Sequence, residues 1–210
     1  MDTELELFEK HVLPNGQIVH YSDSVHTYIV GGREVPSITS LLPLLYGDTY
    51  KNVNPDTLKS AADYGTAVHK ELQECIDRRM EVPSYQVNCE TPEARNYFTF
   101  VEPIWNIKPI MTERIVVLYD PNGKPFAAGR FDLLCEVDGR KTLADFKTTS
   151  TIHRQLVTAQ LNLYRTAAIQ SGYIGEDENV GLGAIHLKGS TAKFVPISVL
   201  SDNFYLQFLI

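Results

Sequence analysis

Apolar and polar positions alternate along the middle of the chain, and this two-residue period is typical of half-buried strands. Three runs of strand length follow one another there, at 112–119, 125–137 and 140–147. The turn segment 120–123 reverses the chain between the first two runs. Asp138 and Gly139 separate the last two and are a common signal of a two-residue hairpin turn. The pattern therefore predicts a three-stranded meander.

Helical periodicity flanks this meander on both sides. Asn54 followed by Pro55 is a good helix start, and the helix that it opens is predicted to run to about Arg79. A second helix begins at Thr91 and should end or kink at Pro103. Further helical segments are predicted at 37–47 with an interruption near Pro43, at about 153–171, and from Asp202.

Strands enclosed by helices in this order predict a mixed α/β layer, so the fold class is α/β. Outside the meander, the pattern predicts a hairpin and a short strand over 18–35, and two strands at 181–187 and 192–199. We interpret residues 1–50 as an N-terminal elaboration of a hairpin and a short helix. Residues 51–210 form the core, and the whole chain is a single domain.

The hairpin register brings charged residues together. If Val137 faces Arg140 across the turn, counting back five residues on each strand sets Asp132 opposite Asp145. Lys147 shares the face of Asp145, because side chains two apart on a strand point the same way. Buried carboxylates at short range repel unless a cation lies between them, and a hard divalent ion suits carboxylate oxygens. A surface ion pair on a strand is the plain alternative for Asp-x-Lys alone.

Composition narrows the classes of protein. With 210 residues, 43% apolar and 21% charged, the chain fits one soluble globular domain. It shows no signal peptide or apolar run of membrane-spanning length, so we expect a cytoplasmic protein without a membrane partner. Three scattered cysteines argue against a disulfide framework, a zinc cluster or an iron-sulfur cluster. The net charge of -7 argues against nucleic-acid binding, although a metal site concentrates acids.

Two positions on the long helix share one face, because Gly65 and His69 are four residues apart. A histidine on a mostly apolar face is more often a satisfied core residue than a ligand. Glycine inside a helix costs about 1 kcal/mol relative to alanine, so a close approach of another group is expected at Gly65. Both readings of His69 remain open at this point.

The order of the motifs resembles the PD-(D/E)XK nuclease superfamily, and within it the RecB-like branch that includes phage exonucleases. Its G-x-x-x-H helix matches 65–69, its G-x-x-D strand 129–132, its D-x-K strand 145–147 and its Q-x-x-x-Y helix 160–164. The N-terminal segment 26–42 is similar more loosely. Phe131 stands where the family name has proline, and the four cysteines of the iron-sulfur relatives are missing.

The resemblance implies a restriction-endonuclease-like core, a central mixed sheet flanked by helices, and a set of site residues. Mg²⁺ or Mn²⁺ would be held by Asp132, Asp145, the carbonyl of Phe146 and His69. Glu113 is a further candidate, and a solvated residue at the strand start is the alternative for it. The catalytic set would be Asp132, Asp145 and Lys147. The supporting or DNA-contacting residues would be Gln160, Tyr164, Gly65 and Thr66.

The function implied is that of a metal-dependent deoxyribonuclease that leaves 5′-phosphate products. The resemblance favours exonuclease over endonuclease action. Its partners would be DNA, single-stranded or with free ends, and other replication or recombination proteins of a bacterium or phage. Two alternatives remain open. The chain is either a catalytically inactive nuclease fold that binds DNA or protein, or a phage-type protein that acts by binding a host complex.

Overall fold

The computed structural model describes residues 7–47, 51 and 53–209, which form two sheets and the helices that cover them. The smaller sheet lies near the N-terminus and has four antiparallel strands in the order β1-β2-β3-β4. These strands are β1 Glu9–Val12, β2 Ile18–Ser22, β3 Thr27–Val30 and β4 Arg33–Val35. The hairpin and short strand predicted over 18–35 are confirmed, whereas β1 was not predicted.

The larger sheet has five strands in the order β5-β6-β7-β8-β9. They are β5 Lys108–Tyr119, β6 Pro125–Val137, β7 Arg140–Lys147, β8 Gly181–Lys188 and β9 Thr191–Ile197. Neighbouring strands are antiparallel except β7 and β8, which are parallel. The chain crosses from β7 to β8 through helix α5, Arg154–Gln170. This mixed sheet with helices confirms the α/β class.

The other helices follow the predicted starts. They are α1 Ile38–Tyr46, α2 Pro55–Glu81, α3 Pro92–Asn96, a π-helical turn Tyr97–Val101, α4 Glu102–Ile104 and a 3-10 turn Phe204–Phe208. Asn54 caps α2 by accepting hydrogen bonds from two backbone N–H groups, and Thr91 caps α3 through its hydroxyl. The predicted kink before Pro103 is the π-helical turn, which accommodates the missing proline N–H.

The interruption predicted near Pro43 is wrong. Helix α1 continues through Pro43 to Tyr46, and Gly47 N–H bonds back to the Pro43 carbonyl. Its N-terminus is capped by Ser37, and its buried face, which includes Ile38, packs into the core. Tertiary packing of this apolar face therefore outweighs one lost backbone hydrogen bond.

Each face of the larger sheet has its own core. One face packs on α1 and α5 around large side chains such as Phe131, Leu143 and Leu161. The other packs on α2, α3 and the π-helical turn around Leu72, Tyr97 and related side chains. The smaller sheet packs on β5 through a third cluster. Among the helices described, none is both long and apolar enough to span a membrane.

Candidate metal centre

The end of the β6–β7 pair brings two acids together. The predicted register is confirmed, since Val137 faces Arg140 and the paired positions end at Leu133 and Ala144, one position before Asp132 and Asp145. Beyond this point a side chain takes the place of a backbone acceptor. The Oδ2 atom of Asp132 accepts a hydrogen bond from the backbone N–H of residue 146 at 2.7 Å. The backbone pairing of the two strands therefore ends where the site begins.

Glu113 adds a third carboxylate from the neighbouring strand β5. The residues on either side of Glu113 pair with those on either side of Asp132, so the two acids lie opposite each other. The backbone of Glu113 has φ 47°, a left-handed conformation that is strained for a residue with a side chain. Arg130 holds this residue in place, with Nε 2.6 Å from Glu113 Oε2. Such strain is common at functional sites.

His69 faces these acids from helix α2. Its Nδ1 lies 3.3 Å from Asp132 Oδ2, and its ring packs edge-on against Phe146 with centroids 5.8 Å apart. Burial lowers the pKa of His69, but the charges of Asp132 and Asp145 together more than offset this, so the net shift is upward. His69 is therefore more than an apolar core residue, because its imidazole contacts a charged carboxylate.

Gly65, one turn before His69, has the expected close neighbour. A Cβ at Gly65 would lie 3.0 Å from the Thr148 hydroxyl oxygen, so an alanine there would require this side chain to move by a few tenths of an ångström. Thr66 lies beside it and lines the clefts on both sides of the helix. The sequence motif at this helix therefore serves to bring the loop after Lys147 against α2.

Lys147, Asp145 and Gln160 form a closed triangle. Lys147 Nζ lies 2.6 Å from Asp145 Oδ2 and donates to Gln160 Oε1 at 3.1 Å. Gln160 Nε2 donates to Asp145 Oδ1 at 3.0 Å. Burial raises the pKa of Asp145, Lys147 opposes the shift, and the charge of Asp132 adds to it. The glutamine of α5 thus fixes the orientation of both charged groups.

Tyr164 lies one turn beyond Gln160 and packs against β6. A Cβ at Gly129 would come within 2.7 Å of its ring, so Gly129 is required for this contact. Burial raises the pKa of Tyr164 well above its ordinary value, and the charges of Asp145 and Asp132 add to the shift. The ring forms a wall of the cleft in front of the acids.

Among the residues that the structure describes, one set of ligand atoms lies close enough to hold a metal ion. His69, Glu113 and Asp132 each offer one atom, and these atoms all lie within 4.8 Å of one another. The set of one imidazole and two carboxylates fits a divalent cation. Asp145 lies outside this group because its oxygens face Lys147 and Gln160.

The charges of this set also favour a cation. Burial raises the pKa of Glu113 to about 7, with Asp132 adding to the shift and Arg130 opposing it. Burial would raise the pKa of Asp132 as well, but His69 beside it is the largest of the effects that bring it below its ordinary value. The side chain of Phe146 lies in the core beneath, and the metal-binding role of its carbonyl stays a prediction.

Two clefts meet at His69 and Thr66. The first, about 370 Å³, runs towards the smaller sheet and is lined by residues that include Asp23, Tyr28, Lys70, Glu113, Arg130 and Asp132. The second, about 590 Å³, runs along the loop after β7 and is lined by residues that include Gly65, Phe146, Lys147, Thr148, His153 and Lys188. The metal-ligand set therefore lies along a longer groove.

Sequence reasoning found the acids but not all of the groove. Of the basic residues near the site in sequence, Arg130 lines the groove, whereas Lys141 pairs with Glu178 at the far end of β7. Residues at the smaller sheet, such as Asp23 in the turn after β2, were missed, because no local pattern shows that this sheet packs beside the acids. Lys188 was missed because it lies on β8, which joins β7 only across a crossover.

No family model matches the chain, and no curated protein matches it. The crystal structure of SSO0001 is similar to the chain with a TM-score of 0.46 and 13% sequence identity, over 83% of this chain and 73% of that one. A likeness of this degree carries no argument about family or activity. The function is therefore argued from the site.

Proposed function

We propose that the protein is a metal-dependent deoxyribonuclease with a restriction-endonuclease-like core of the PD-(D/E)XK superfamily. The observation that carries the proposal is the row of three acids, Glu113, Asp132 and Asp145, on three adjacent strands, with His69 and Lys147 against it. The side chain of Asp132 is 11% exposed, so this row is not a solvated surface pair. Clustered buried acids of this kind mark functional sites.

The metal ion of the proposal is Mg²⁺ or Mn²⁺, held by His69, Glu113 and Asp132, with Asp145 and the Phe146 carbonyl as further candidates. Imidazole suits Mn²⁺ better than Mg²⁺, so activity with manganese should at least equal that with magnesium. The chemistry that such an ion supplies is the acidification of an attacking water and the neutralisation of charge on the phosphoryl oxygens.

Lys147 carries the protein's own part of the reaction. Its ammonium is fixed by Asp145 and Gln160, so it is positioned before substrate arrives. It would orient a water by hydrogen bonding and offset negative charge that develops at phosphorus. Tyr164 and Thr66 would guide the strand on either side of this point. The expected products carry a 5′-phosphate, and exonuclease action on DNA with free or single-stranded ends is the form that we favour.

Labelled single- and double-stranded DNA, incubated with Mg²⁺, Mn²⁺ or EDTA, tests the proposal. Cleavage in both metals and none in EDTA is expected, with 5′-phosphate ends on the products. Circular substrates separate exonuclease from endonuclease action, since only the latter cuts them. Equal cleavage in EDTA, or no cleavage with any divalent ion, would overturn the proposal.

One observation favours a second function, that of a catalytically inactive fold that binds DNA or protein. Internal cations already neutralise two of the acids, Arg130 at Glu113 and Lys147 at Asp145, so the site can stay folded without a metal. The net charge of -7 agrees with a protein partner. Tight DNA binding without cleavage in the same assay would support this function.

A further inference from the structure

The row of acids has a cation at each of its two ends. Lys147 pairs with Asp145 at one end. Arg130 takes the corresponding place at the other end, with its Nε 2.6 Å from Glu113 Oε2. It lies two residues before Asp132 on β6, so the two side chains share a face of the sheet. Lys147 has a part in the proposed reaction, and the matching position of Arg130 raises the question of what that residue binds.

The smaller sheet supports the outer end of Arg130. The guanidinium carbon lies 5.4 Å from the centre of the Tyr21 ring, which is a cation–π contact. The Nη2 atom of Arg130 lies 3.6 Å from Asp23 Oδ1, and the same oxygen accepts a hydrogen bond from the Tyr21 hydroxyl at 2.8 Å. With Glu113 on its inner side, the guanidinium is therefore held in one place between the two sheets.

The guanidinium is held in place but is not covered. The side chain of Arg130 is 37% exposed, against 13% for that of Glu113, and it lines the 370 Å³ cleft together with the metal-ligand set. The 3.6 Å separation from Asp23 is longer than a hydrogen bond, and the Asp23 side chain is mostly exposed, so this contact is weak. Donors at the outer end of the guanidinium are therefore available to a ligand in the cleft.

We propose that Arg130 binds the phosphate group on which the nuclease acts. The planar fork of a guanidinium matches two oxygens of a phosphate, and its fixed position reduces the entropy lost on binding. When Glu113 serves as a metal ligand, its charge is shared, and Arg130 is left with positive charge that suits an anion. The phosphate then lies between Arg130 and Lys147. This assignment rests on the proposed function.

A counter-ion for Glu113 is the plain alternative role of Arg130. In that role the guanidinium only offsets a mostly buried carboxylate and holds its left-handed backbone in place. The two roles predict different losses when Arg130 is replaced. A counter-ion affects how well the site takes a metal ion, whereas a phosphate contact affects how well the metal-loaded site takes a phosphate.

Thymidine 5′-monophosphate, with thymidine as the uncharged control, tests the contact without any cleavage. At Mn²⁺ concentrations that saturate each variant, wild type should bind the monophosphate more tightly than thymidine. Arg130→Gln should bind the monophosphate roughly tenfold more weakly, or worse, and thymidine as before. Arg114→Gln removes an exposed arginine next to Glu113 that does not line the cleft, and it should bind both as wild type does. Wild-type affinity for the monophosphate in Arg130→Gln would overturn the proposal.

Arg130→Lys keeps a positive charge beside Glu113 and carries the test if Arg130→Gln does not fold. Lysine lacks the planar fork, so this variant should bind the monophosphate roughly threefold to tenfold more weakly. Its Mn²⁺ affinity and its melting temperature should stay close to those of wild type. Wild-type affinity for the monophosphate in this variant, or a loss of Mn²⁺ affinity alone, would leave Arg130 as a counter-ion and contradict the phosphate contact.

The phosphate contact and the nuclease proposal fail in distinguishable ways. If Arg130→Gln loses affinity for the monophosphate but wild type cuts no DNA with any divalent ion, the phosphate contact stands and the nuclease proposal falls. If wild type cuts DNA with Mn²⁺ and Arg130→Gln binds the monophosphate and cuts DNA equally well, the nuclease proposal stands and the phosphate contact falls.

Discussion

The two ends of strand β7 carry the same kind of ion pair with opposite consequences. At the hairpin end Lys141 pairs with Glu178, with side chains 32% and 39% exposed, and this pair lowers the pKa of Glu178. At the other end Lys147 pairs with Asp145, with side chains 21% and 4% exposed, and burial raises the pKa of Asp145 despite the lysine. The exposed pair therefore favours the ionised carboxylate, whereas in the buried pair the cost of burial exceeds the attraction of the lysine. Such unfavourable burial of charge is common at functional sites.

The largest effect should come from the two lysines. Lys147→Ala should lower DNA cleavage by about 10³-fold or more, because it removes the cation placed beside the reacting phosphate. Lys141→Ala, on the same strand, should leave cleavage unchanged, since its pair is exposed and contributes little to stability. DNA binding in EDTA should be similar for both variants. Normal cleavage by Lys147→Ala would remove the contrast between the two ends of β7.

The pH dependence of stability should come from Glu113. Because its folded pKa is raised to about 7, its contribution is fully present below its ordinary pKa and is lost as pH rises through 7. The metal-free protein should therefore lose on the order of 3 kcal/mol between pH 4.5 and 7, and His69 should act in the same direction. Glu113→Gln should flatten the curve in chemical denaturation, whereas Glu178→Gln should not. An unchanged curve in Glu113→Gln would contradict the burial argument.

The two glycines of this hairpin should respond differently. Gly129→Ala places a Cβ 2.7 Å from the Tyr164 ring, which should cost about 1–3 kcal/mol of unfolding free energy and displace the wall of the cleft, so cleavage falls. Gly139→Ala, at φ 80° with no atom within 4 Å, should cost about 1 kcal/mol through the backbone alone and leave cleavage unchanged. Equal activity losses in both would mean that Tyr164 does not act at the site.

The smallest effect is expected when the acid of each ion pair on β7, Asp145 or Glu178, is replaced by its neutral amide. Asp145→Asn should raise the stability of the metal-free protein slightly, because burial and the charge of Asp132 both raise the pKa of Asp145 and so disfavour its ionised form. Glu178→Gln should leave stability unchanged or slightly lower, because its partner holds its pKa down. Thermal unfolding in EDTA measures both. A lower melting temperature in Asp145→Asn would show that the pair with Lys147 is net favourable.

Local patterns were sufficient for the hairpin and for the acids on it. The turn at Asp138 fixed the register, and the observed pairing runs to Leu133 and Ala144, one position before Asp132 and Asp145. Glu113, a candidate ligand from the family resemblance, lies opposite Asp132 because β5 pairs with β6, and its metal-binding role stays a prediction. Spacing along antiparallel neighbours translates directly into spacing in the sheet.

Contacts between distant segments could not be predicted in this way. The left-handed backbone of Glu113 and its bond to Arg130 depend on how three strands pack together, which no periodicity encodes. The cleft beside Lys147 is also lined by Lys188 of β8, which reaches it across a crossover. The interruption expected at Pro43 was wrong for the same reason, since packing of α1 outweighed a local preference.

The most direct test of the metal centre is calorimetric titration of Mn²⁺ into the metal-free protein. Wild type should bind Mn²⁺ with release of protons, because burial raises the pKa of Glu113 to about 7 and this carboxyl is partly protonated near that pH. Asp132→Asn should abolish this binding, whereas Glu178→Gln should bind as wild type does. Binding of equal affinity and stoichiometry in Asp132→Asn and wild type would contradict the metal centre that we propose.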